Sequence, residues 1–460
     1  MASSSVQMKY VTLLAATAAL GGFLFGFDSA VINGAVSGIQ TSFTSSSAGT
    51  GFAVASILIG SAIGALVAGR FADHYGRRFV MIASAIIFAL TAIWAGFSGG
   101  TMMFTVARFV SGIGVGAASV VCPAYIAEVS PAQLRGRLAS LQQFGIVLGI
   151  FVALLSDALI ADAAGGVTVL FHGVMAWRWM FLVEILPSIL FGVAAIFVPE
   201  SPRFLVAAKR EDEALAILAR IDSATTSAII VEIQKTVNAD RPPQLADLKG
   251  PNGKVLSIVW VGVVLSAFQQ LVGINSIFYY GAVLWEAAGF TTSDSLRINV
   301  LTSIVNIVAT IVAMAFVDKI GRRPLLLWGS AAMAVTLGIL VAVFATASSA
   351  NGHLVLPHAT GIVALLAANL YVFAFGISWG PCVWVLLGEM FPNAIRGAAM
   401  AVAAFTLWVA NWIVTVSFPP IVASLGPAGA YGLYFVFAVL SFGFVKRFVT
   451  ETRGRVLEDM

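Results

Sequence analysis

Three ionisable side chains, Asp28, Arg108 and Glu184, lie inside long apolar stretches of the sequence. Each is about five to eight residues from the predicted end of its stretch, or about 8 to 12 Å along a helix that rises 1.5 Å per residue. Charged groups in such surroundings are costly and indicate function. A carboxylate beside an arginine can alternate between an ion pair and a protonated acid, the chemistry that coupling to a proton gradient requires. The alternative is a static salt bridge, with Glu184 in a capping or packing role.

Neutral amides form a second polar set inside the apolar stretches. An amide both donates and accepts hydrogen bonds, as a polyhydroxylated ligand demands, although each amide alone is equally compatible with a bond between helices. Aromatic residues in the later stretches offer ring faces that can stack on the apolar face of a sugar ring. The amides are Gln142, Gln143, Gln269, Gln270, Asn275, Asn306 and Asn411, and the aromatic residues are Phe375, Trp379, Trp384 and Trp408.

The elements that carry these residues must be membrane helices. Of the 460 residues, 60% are hydrophobic and only 10% are charged, more apolar surface than one soluble core can bury. Apolar stretches of about 20 residues, the length that crosses a bilayer as a helix, recur from end to end. We therefore predict an all-α polytopic membrane protein with twelve transmembrane helices, at residues 10–36, 51–70, 79–97, 103–126, 138–160, 177–198, 255–285, 296–317, 325–348, 358–388, 397–420 and 428–449.

Glycine and proline give two local predictions within these helices. The string SGIGVGAAS in the fourth stretch has no strand before it and lacks the spacing of a dinucleotide fingerprint, so it predicts close helix packing rather than a nucleotide site. Gly376, Gly380 and Pro381 predict a break in the tenth helix.

The distribution of basic residues predicts orientation. All but Arg108, Arg178 and Arg297 of the 25 Lys and Arg residues lie near the termini or in the loops of one side. The positive-inside rule makes that side cytoplasmic, with both termini there, in a plasma membrane of bacterial inner-membrane type. Basic residues spread over short loops exclude a nucleic-acid domain, which would gather them on one soluble face. Cys122 and Cys382 have no metal or redox spacing, and we expect no metal, no cofactor and no enzymatic activity.

An internal repeat divides the chain. Residues 199–254 form the longest polar stretch, predicted to be a cytoplasmic linker of short amphipathic helices in which EDEALAILARID is the clearest. The linker separates a six-helix bundle at 1–198 from another at 255–449, followed by a tail at 450–460. DHYGRR follows the second helix, and DKIGRR follows the eighth. Glu, Pro, Arg and Gly recur with the same spacing after the fourth helix, at positions 128, 131, 135 and 136, and after the tenth, at positions 389, 392, 396 and 397. Such duplication places a transporter's site at the interface of the repeats.

Matched acids and bases at these loops predict a gate. These charges could pair across the cytoplasmic ends of the two halves when the carrier is open to the outside. The pairs would have to break when it opens inward, which would make a gate with two stable states. The alternative is that these charges only set the topology. The predicted gate residues are Asp73, Arg77, Glu128, Arg135, Glu200, Asp318, Arg322, Glu389, Arg396 and Glu451.

Over essentially its whole length the sequence resembles the sugar porter family of the major facilitator superfamily, and within it the bacterial proton-coupled hexose and pentose transporters. The matching strings are GRFADHYGRR, AEVSPAQLRGR, PESPR, FQQLVGIN, DKIGRRP, SWGP and EMFPNAIRG. The resemblance implies two bundles of six helices around a central sugar site. It implies sugar-binding roles for Gln143, Gln269, Gln270, Asn275, Asn306, Trp384 and Asn411.

Three positions bear on the type of transporter. Asp28 stands where proton symporters of the family have aspartate, which favours symport. Leu407 replaces the usual Asn or Gln, and Thr450 replaces the usual proline before the last glutamate. We therefore expect a monomeric carrier that takes up D-glucose with protons by alternating access. The alternatives are a passive sugar uniporter, a symporter for xylose or galactose, and a sugar sensor, which would need a larger tail.

Overall fold

The computed structural model describes residues 7–131, 134–164, 169–171, 173–222, 226–239, 245–250, 252–287, 289–350, 353–356, 358–392 and 395–452. Almost all of the regular structure is helical. The helices before the linker are α1 (Met8–Ala30), α2 (Ile32–Phe43), α3 (Ser47–Tyr75), α4 (Arg77–Gly96), α5 (Thr101–Val129), α6 (Arg135–Ala164), α7 (Ala176–Leu182) and α8 (Ile185–Phe197).

The predicted linker contains three short helices. They are α9 (Pro202–Ala207), α10 (Glu211–Ile221) and α11 (Thr226–Ala239), followed by a 3₁₀ turn at Leu245–Leu248. The predicted amphipathic helix is confirmed as α10, whose apolar face packs with α9 and α11 around a small core of its own. The linker also contacts the start of the chain, since Gln7 N–H donates to Ile221 O at 3.0 Å.

The helices after the linker are α12 (Ser257–Leu271), α13 (Ile274–Ala287), α14 (Thr292–Ile320), α15 (Arg322–Ala345), α16 (His358–Ile377), α17 (Trp379–Met390) and α18 (Arg396–Phe448). Among the described residues, 11 helices or helix pairs are long and apolar enough to cross a membrane. The eleventh and twelfth predicted spans run together in α18, where Gly426 is non-helical with φ 68° and Pro427 follows it.

Two short hairpins were not predicted. Strand β1 (Val169–Phe171) pairs with β2 (Val174–Met175), and β3 (Ser348–Ala350) pairs with β4 (His353–Val355), antiparallel in both cases. They lie in the loops opposite the linker. We call their side of the molecule the hairpin side, and the side of residues 199–254 the linker side.

Four spans are interrupted, and the breaks position polar groups. They fall at Val31, at Val183 and Glu184, at Val272 and Gly273, and at Ser378. The break at Ser378 confirms the interruption predicted for the tenth helix. Gly273 has φ +89°, and a Cβ there would lie 2.3 Å from the Tyr434 ring, so only glycine fits this turn.

Glycines bring neighbouring helices into backbone contact. A Cβ on Gly112 or Gly116 of α5 would lie about 2 Å from Ile57 O or Ser61 O of α3, at 2.0 and 2.1 Å respectively. The helix-packing role predicted for SGIGVGAAS is therefore confirmed. Gly26 of α1 is similarly close to α6, since a Cβ there would lie 1.9 Å from Ile146 O.

Candidate functional site

A buried ion pair joins α1 to α5. Arg108 and Asp28 are each 1% exposed, and the guanidinium binds the Asp28 carboxylate and also donates to Asp28 O at 2.9 Å. Ser111, one helical turn from Arg108, donates its hydroxyl to the second carboxylate oxygen. Asp28 therefore has a partner for both of its oxygens inside the membrane region.

Glu184 completes this cluster. It lies in the break between α7 and α8, is 2% exposed, and lines the same small pocket as Asp28 and Arg108. Its Oε1 has no hydrogen-bond partner among the described residues. The structure thus brings together the three ionisable residues that the sequence singled out.

The cluster has the charge balance of a proton site. One guanidinium shares the pocket with two carboxyl groups, and with both ionised the pocket would hold an uncompensated negative charge in apolar surroundings. One proton on either acid makes the cluster neutral, and movement of Arg108 between the acids would shift that proton's preferred place. Its part in proton coupling stays a prediction.

Three of the six predicted sugar-binding amides lie at two of the helix breaks. Gln269, at the end of α12, donates to Trp379 O at 3.1 Å and Gly380 O at 3.3 Å, beside the break at Ser378. Asn275, just after the turn at Gly273, donates to Gln270 Oε1 at 2.6 Å. Gln269 Oε1 has no hydrogen-bond partner among the described residues, so this oxygen can accept a hydrogen bond from a ligand hydroxyl.

The remaining predicted sugar-binding residues lie on four helices. Asn306 on α14 is buried, and its Oδ1 is 3.3 Å from where a Cβ on Gly376 would lie. Asn411 on α18 is buried and accepts from Thr415 at 3.2 Å. Gln143 on α6 is partly buried, while Trp384 on α17 is 37% exposed and keeps an open ring. A described hydrogen bond thus joins Gln270 and Asn275, and the common role of the seven residues in sugar binding stays a prediction.

The other aromatic candidates differ from one another. The stacking role predicted for Trp379 is wrong, because its ring is fully buried and its indole N–H donates to Ser330 at 2.9 Å. Trp408 packs against Phe25 with ring centroids 5.6 Å apart and so links the two halves. Phe375 is partly buried. Leu407 is 5% exposed and belongs to the apolar core, so it adds no polar group to the cavity.

An asparagine that sequence reasoning missed seals the hairpin side. Asn33 of α2 donates to Phe278 O at 2.9 Å and to Ile277 O at 3.4 Å. Its Oδ1 accepts from Ala282 N–H at 3.0 Å and from Asn299 Nδ2 at 2.9 Å. Phe278 C=O and Ala282 N–H are i and i+4 partners of a regular helix, so the amide inserts between groups of the α13 ladder. An amide inside the first apolar stretch was the available signal.

Further bonds between the halves lie on the same side. Ser37 donates to Glu286 at 3.2 Å, and Ser293 donates to Asp162 at 2.6 Å. Arg297 forms an ion pair with Asp162 at 3.2 Å. The hydrogen bonds between the halves that the structure details thus close the hairpin side.

On the linker side the predicted gate residues form the same arrangement twice. In the first half, Arg77 pairs with Glu128 at 3.0 Å and with Asp73 at 3.0 Å. In the second half, Arg322 pairs with Glu389 at 2.8 Å. These pairs join residues within one half, so they leave the predicted tie between the halves untested in this conformation.

Glu200 and Glu451 bind backbone N–H groups at the starts of two helices. Glu200 accepts from Arg77 N–H at 2.9 Å and from Arg78 N–H, and so caps the start of α4 after Gly76. Glu451 accepts from Arg322 N–H at 3.1 Å and Arg323 N–H at 3.0 Å, and caps α15. Helix N-termini favour carboxylates because their first N–H groups have no helical partner. The side chains of Arg135, Asp318 and Arg396 lie outside the described part of the chain.

Residues 14–460 match the family described as Sugar (and other) transporter. The chain is 53% identical over 459 residues to a glucose transport protein of Synechocystis sp., covering 99% of this chain and 98% of that one. The chain belongs to the sugar transporter family.

Other members of the family extend the comparison. A D-xylose-proton symporter of Escherichia coli is 36% identical over 495 residues, covering 100% of this chain and 96% of that one. The partially occluded inward-open structure of the xylose transporter XylE from E. coli matches with a TM-score of 0.84 and 33% identity, over 97% of this chain and 100% of the other. The major facilitator fold inferred from the sequence is confirmed, and the protein is a multi-pass plasma-membrane protein of this family.

Proposed function

We propose that this chain is a proton-coupled monosaccharide transporter that takes up D-glucose by alternating access. The observation that carries the proposal is the buried pocket lined by Asp28, Arg108 and Glu184, inside a sugar transporter fold. Two relatives support sugar transport and proton coupling, since one is a glucose transport protein and another a D-xylose-proton symporter.

The sugar site we propose lies between the two halves, where the broken helices expose amides. Gln143, Gln269, Gln270, Asn275, Asn306 and Asn411 would hydrogen-bond the sugar hydroxyls, and Trp384 would stack on the ring. The unpartnered Gln269 Oε1 and the open Trp384 ring support this assignment. Buried amides left without a ligand partner cost free energy, which favours a polyhydroxylated ligand over an apolar one.

The transport cycle follows from the sealed hairpin side. We assign that side to the exterior and the linker side, with both termini, to the cytoplasm, as the distribution of Lys and Arg supports. In this assignment the described conformation is closed to the outside. The matched linker-side charges would then pair across the halves when the outside is open, and the six-helix bundles at 1–198 and 255–449 would move about the site. The carrier would function as a monomer and without a cofactor.

Proton coupling would work through competition for Arg108. A protonated Asp28 releases Arg108, and loss of the proton to the inside restores the ion pair, so sugar movement and proton movement share one switch. Glu184 offers a second place for the proton in the same pocket.

Counterflow in proteoliposomes tests the proposed substrate. Vesicles loaded with unlabelled glucose should accumulate labelled glucose transiently, and external glucose should compete better than xylose or galactose. A panel in which no sugar competes would refute sugar transport. Counterflow with no response of net uptake to a proton gradient would leave a passive uniporter, and stronger competition by xylose or galactose would change the substrate.

A further inference from the structure

A second carboxyl group lies buried away from the Asp28 pocket. Asp157 on α6 is 0% exposed, and its Oδ2 accepts from the N–H of Gly34 on α2 at 3.3 Å. Its Oδ1 is buried without a hydrogen-bond partner among the described residues. A Cβ on Gly34 would lie 2.8 Å from the carboxyl group, so the absence of a side chain there makes room for it.

Three of the cations on the elements packed against α6 are engaged elsewhere. Arg108 of α5 binds Asp28, Arg178 of α7 donates to Gly96 O and Ser98 O, and Arg297 of α14 binds Asp162. Helix α2 and strand β1 carry no ionisable side chain. The other ionisable groups on these elements and on α6 are Lys9, Tyr10, Asp28, Cys122, Tyr125, Glu128, Arg135, Arg137, Asp162, Asp294, Asp318 and Lys319.

The balance of interactions at Asp157 favours its neutral form while the hairpin side is sealed. Within the described part of the chain, an ionised Asp157 carboxylate would have one long hydrogen bond, no cationic partner and no exposed atom, and such a buried charge is costly. The N–H groups at the start of α2 favour the anion, but the effect of a helix terminus is small beside the loss of hydration. We propose that Asp157 is a second proton-binding site, occupied when the hairpin side is sealed.

The position of Gly34 links this site to the seal. Asn33, the preceding residue, makes the bonds to α13 and α14 that close the hairpin side. When α2 leaves those partners, water reaches the carboxyl group, which then ionises and gives its proton to that side. Closing the seal takes the proton back. The pH of the hairpin side therefore biases the carrier between its two states.

The meaning of this site for uptake rests on the proposed function, but its protonation does not, and the test separates the two. Purified full-length protein in liposomes is titrated without sugar, and infrared difference spectra follow the C=O stretch of protonated carboxyl groups. The variants are Asp157→Asn and, should it fail to fold, Asp157→Ser. Asp28→Asn and the exposed Asp294→Asn are the controls, and monodispersity checks the fold.

We expect the parent to show a protonated-carboxyl band that disappears on alkaline titration. The component of that band due to Asp157 should be absent from Asp157→Asn and present in both controls. The pH dependence of glucose counterflow should lose one titration step in Asp157→Asn. A band that is unchanged in both Asp157 variants would overturn the proposal, whether or not the protein transports sugar. If the parent protein shows no glucose counterflow, the proposed function is refuted, but the infrared test of Asp157 protonation remains valid.

Discussion

Removal of the Asn33 amide should open the hairpin side. Asn33→Ala deletes three hydrogen bonds of 2.9 to 3.0 Å between the halves and a longer one to Ile277. At about 1 kcal/mol net per bond, the three shorter bonds contribute about 3 kcal/mol. Phe278 C=O and Ala282 N–H can pair with each other in the variant, which recovers about 1 kcal/mol. The net loss of about 2 kcal/mol should lower the ratio of sealed to open molecules about 30-fold.

Distances between spin labels on the hairpin side measure this ratio. Thr41→Cys and Thr292→Cys place labels at exposed positions of α2 and α14, and the native Cys122 and Cys382 are buried. The variant should move population from a short to a long distance. Asn369→Ala is the matched control, since the Asn369 amide donates only to Leu365 O of its own helix. The same distance distribution in Asn33→Ala and in the parent would refute the account of the seal.

Two further predictions concern the sugar site and the helix caps. Gln270→Ala should weaken glucose binding by about 1 to 3 kcal/mol, because sugar hydroxyls and Asn275 lose a buried partner; calorimetry on purified protein that gives an unchanged affinity would remove Gln270 from the site. Glu200→Ala should lower the free energy of unfolding by about 1 to 3 kcal/mol through the lost cap of α4, with the exposed Glu213→Ala as control; equal thermal stability of the two variants would contradict the capping role.

The sequence predicted the buried cluster because each of its three residues is an ionisable side chain within an apolar stretch. Charged residues at similar depth in three apolar stretches have few acceptable surroundings other than one another. The linker-side charges could also be predicted, because the same acids and bases recur at matching positions in the two halves of the sequence. Their partners were only partly predictable: the backbone N–H groups that Glu200 and Glu451 bind become available only where α4 and α15 begin after a glycine of positive φ.

Other features depend on packing between distant segments. Asn33 and Asp157 look like unremarkable polar residues until α2 is set against α13 and α6. Trp379 has the residue type of a stacking residue, but the break at Ser378 turns its ring into the core against Ser330. The last two spans follow each other within α18, separated by a kink at the non-helical Gly426 and by Pro427, which composition alone does not reveal.

Active uptake and counterflow of glucose by Asp28→Asn, measured in one vesicle preparation at matched protein level, test the central claim most directly. Asparagine resembles the protonated acid and can neither bind nor release a proton. The account predicts that uptake against a gradient is abolished while counterflow and binding persist. Retained concentrative uptake would contradict a coupling role for Asp28, and a joint fall of binding, counterflow and stability would make the Asp28 and Arg108 pair a purely structural one.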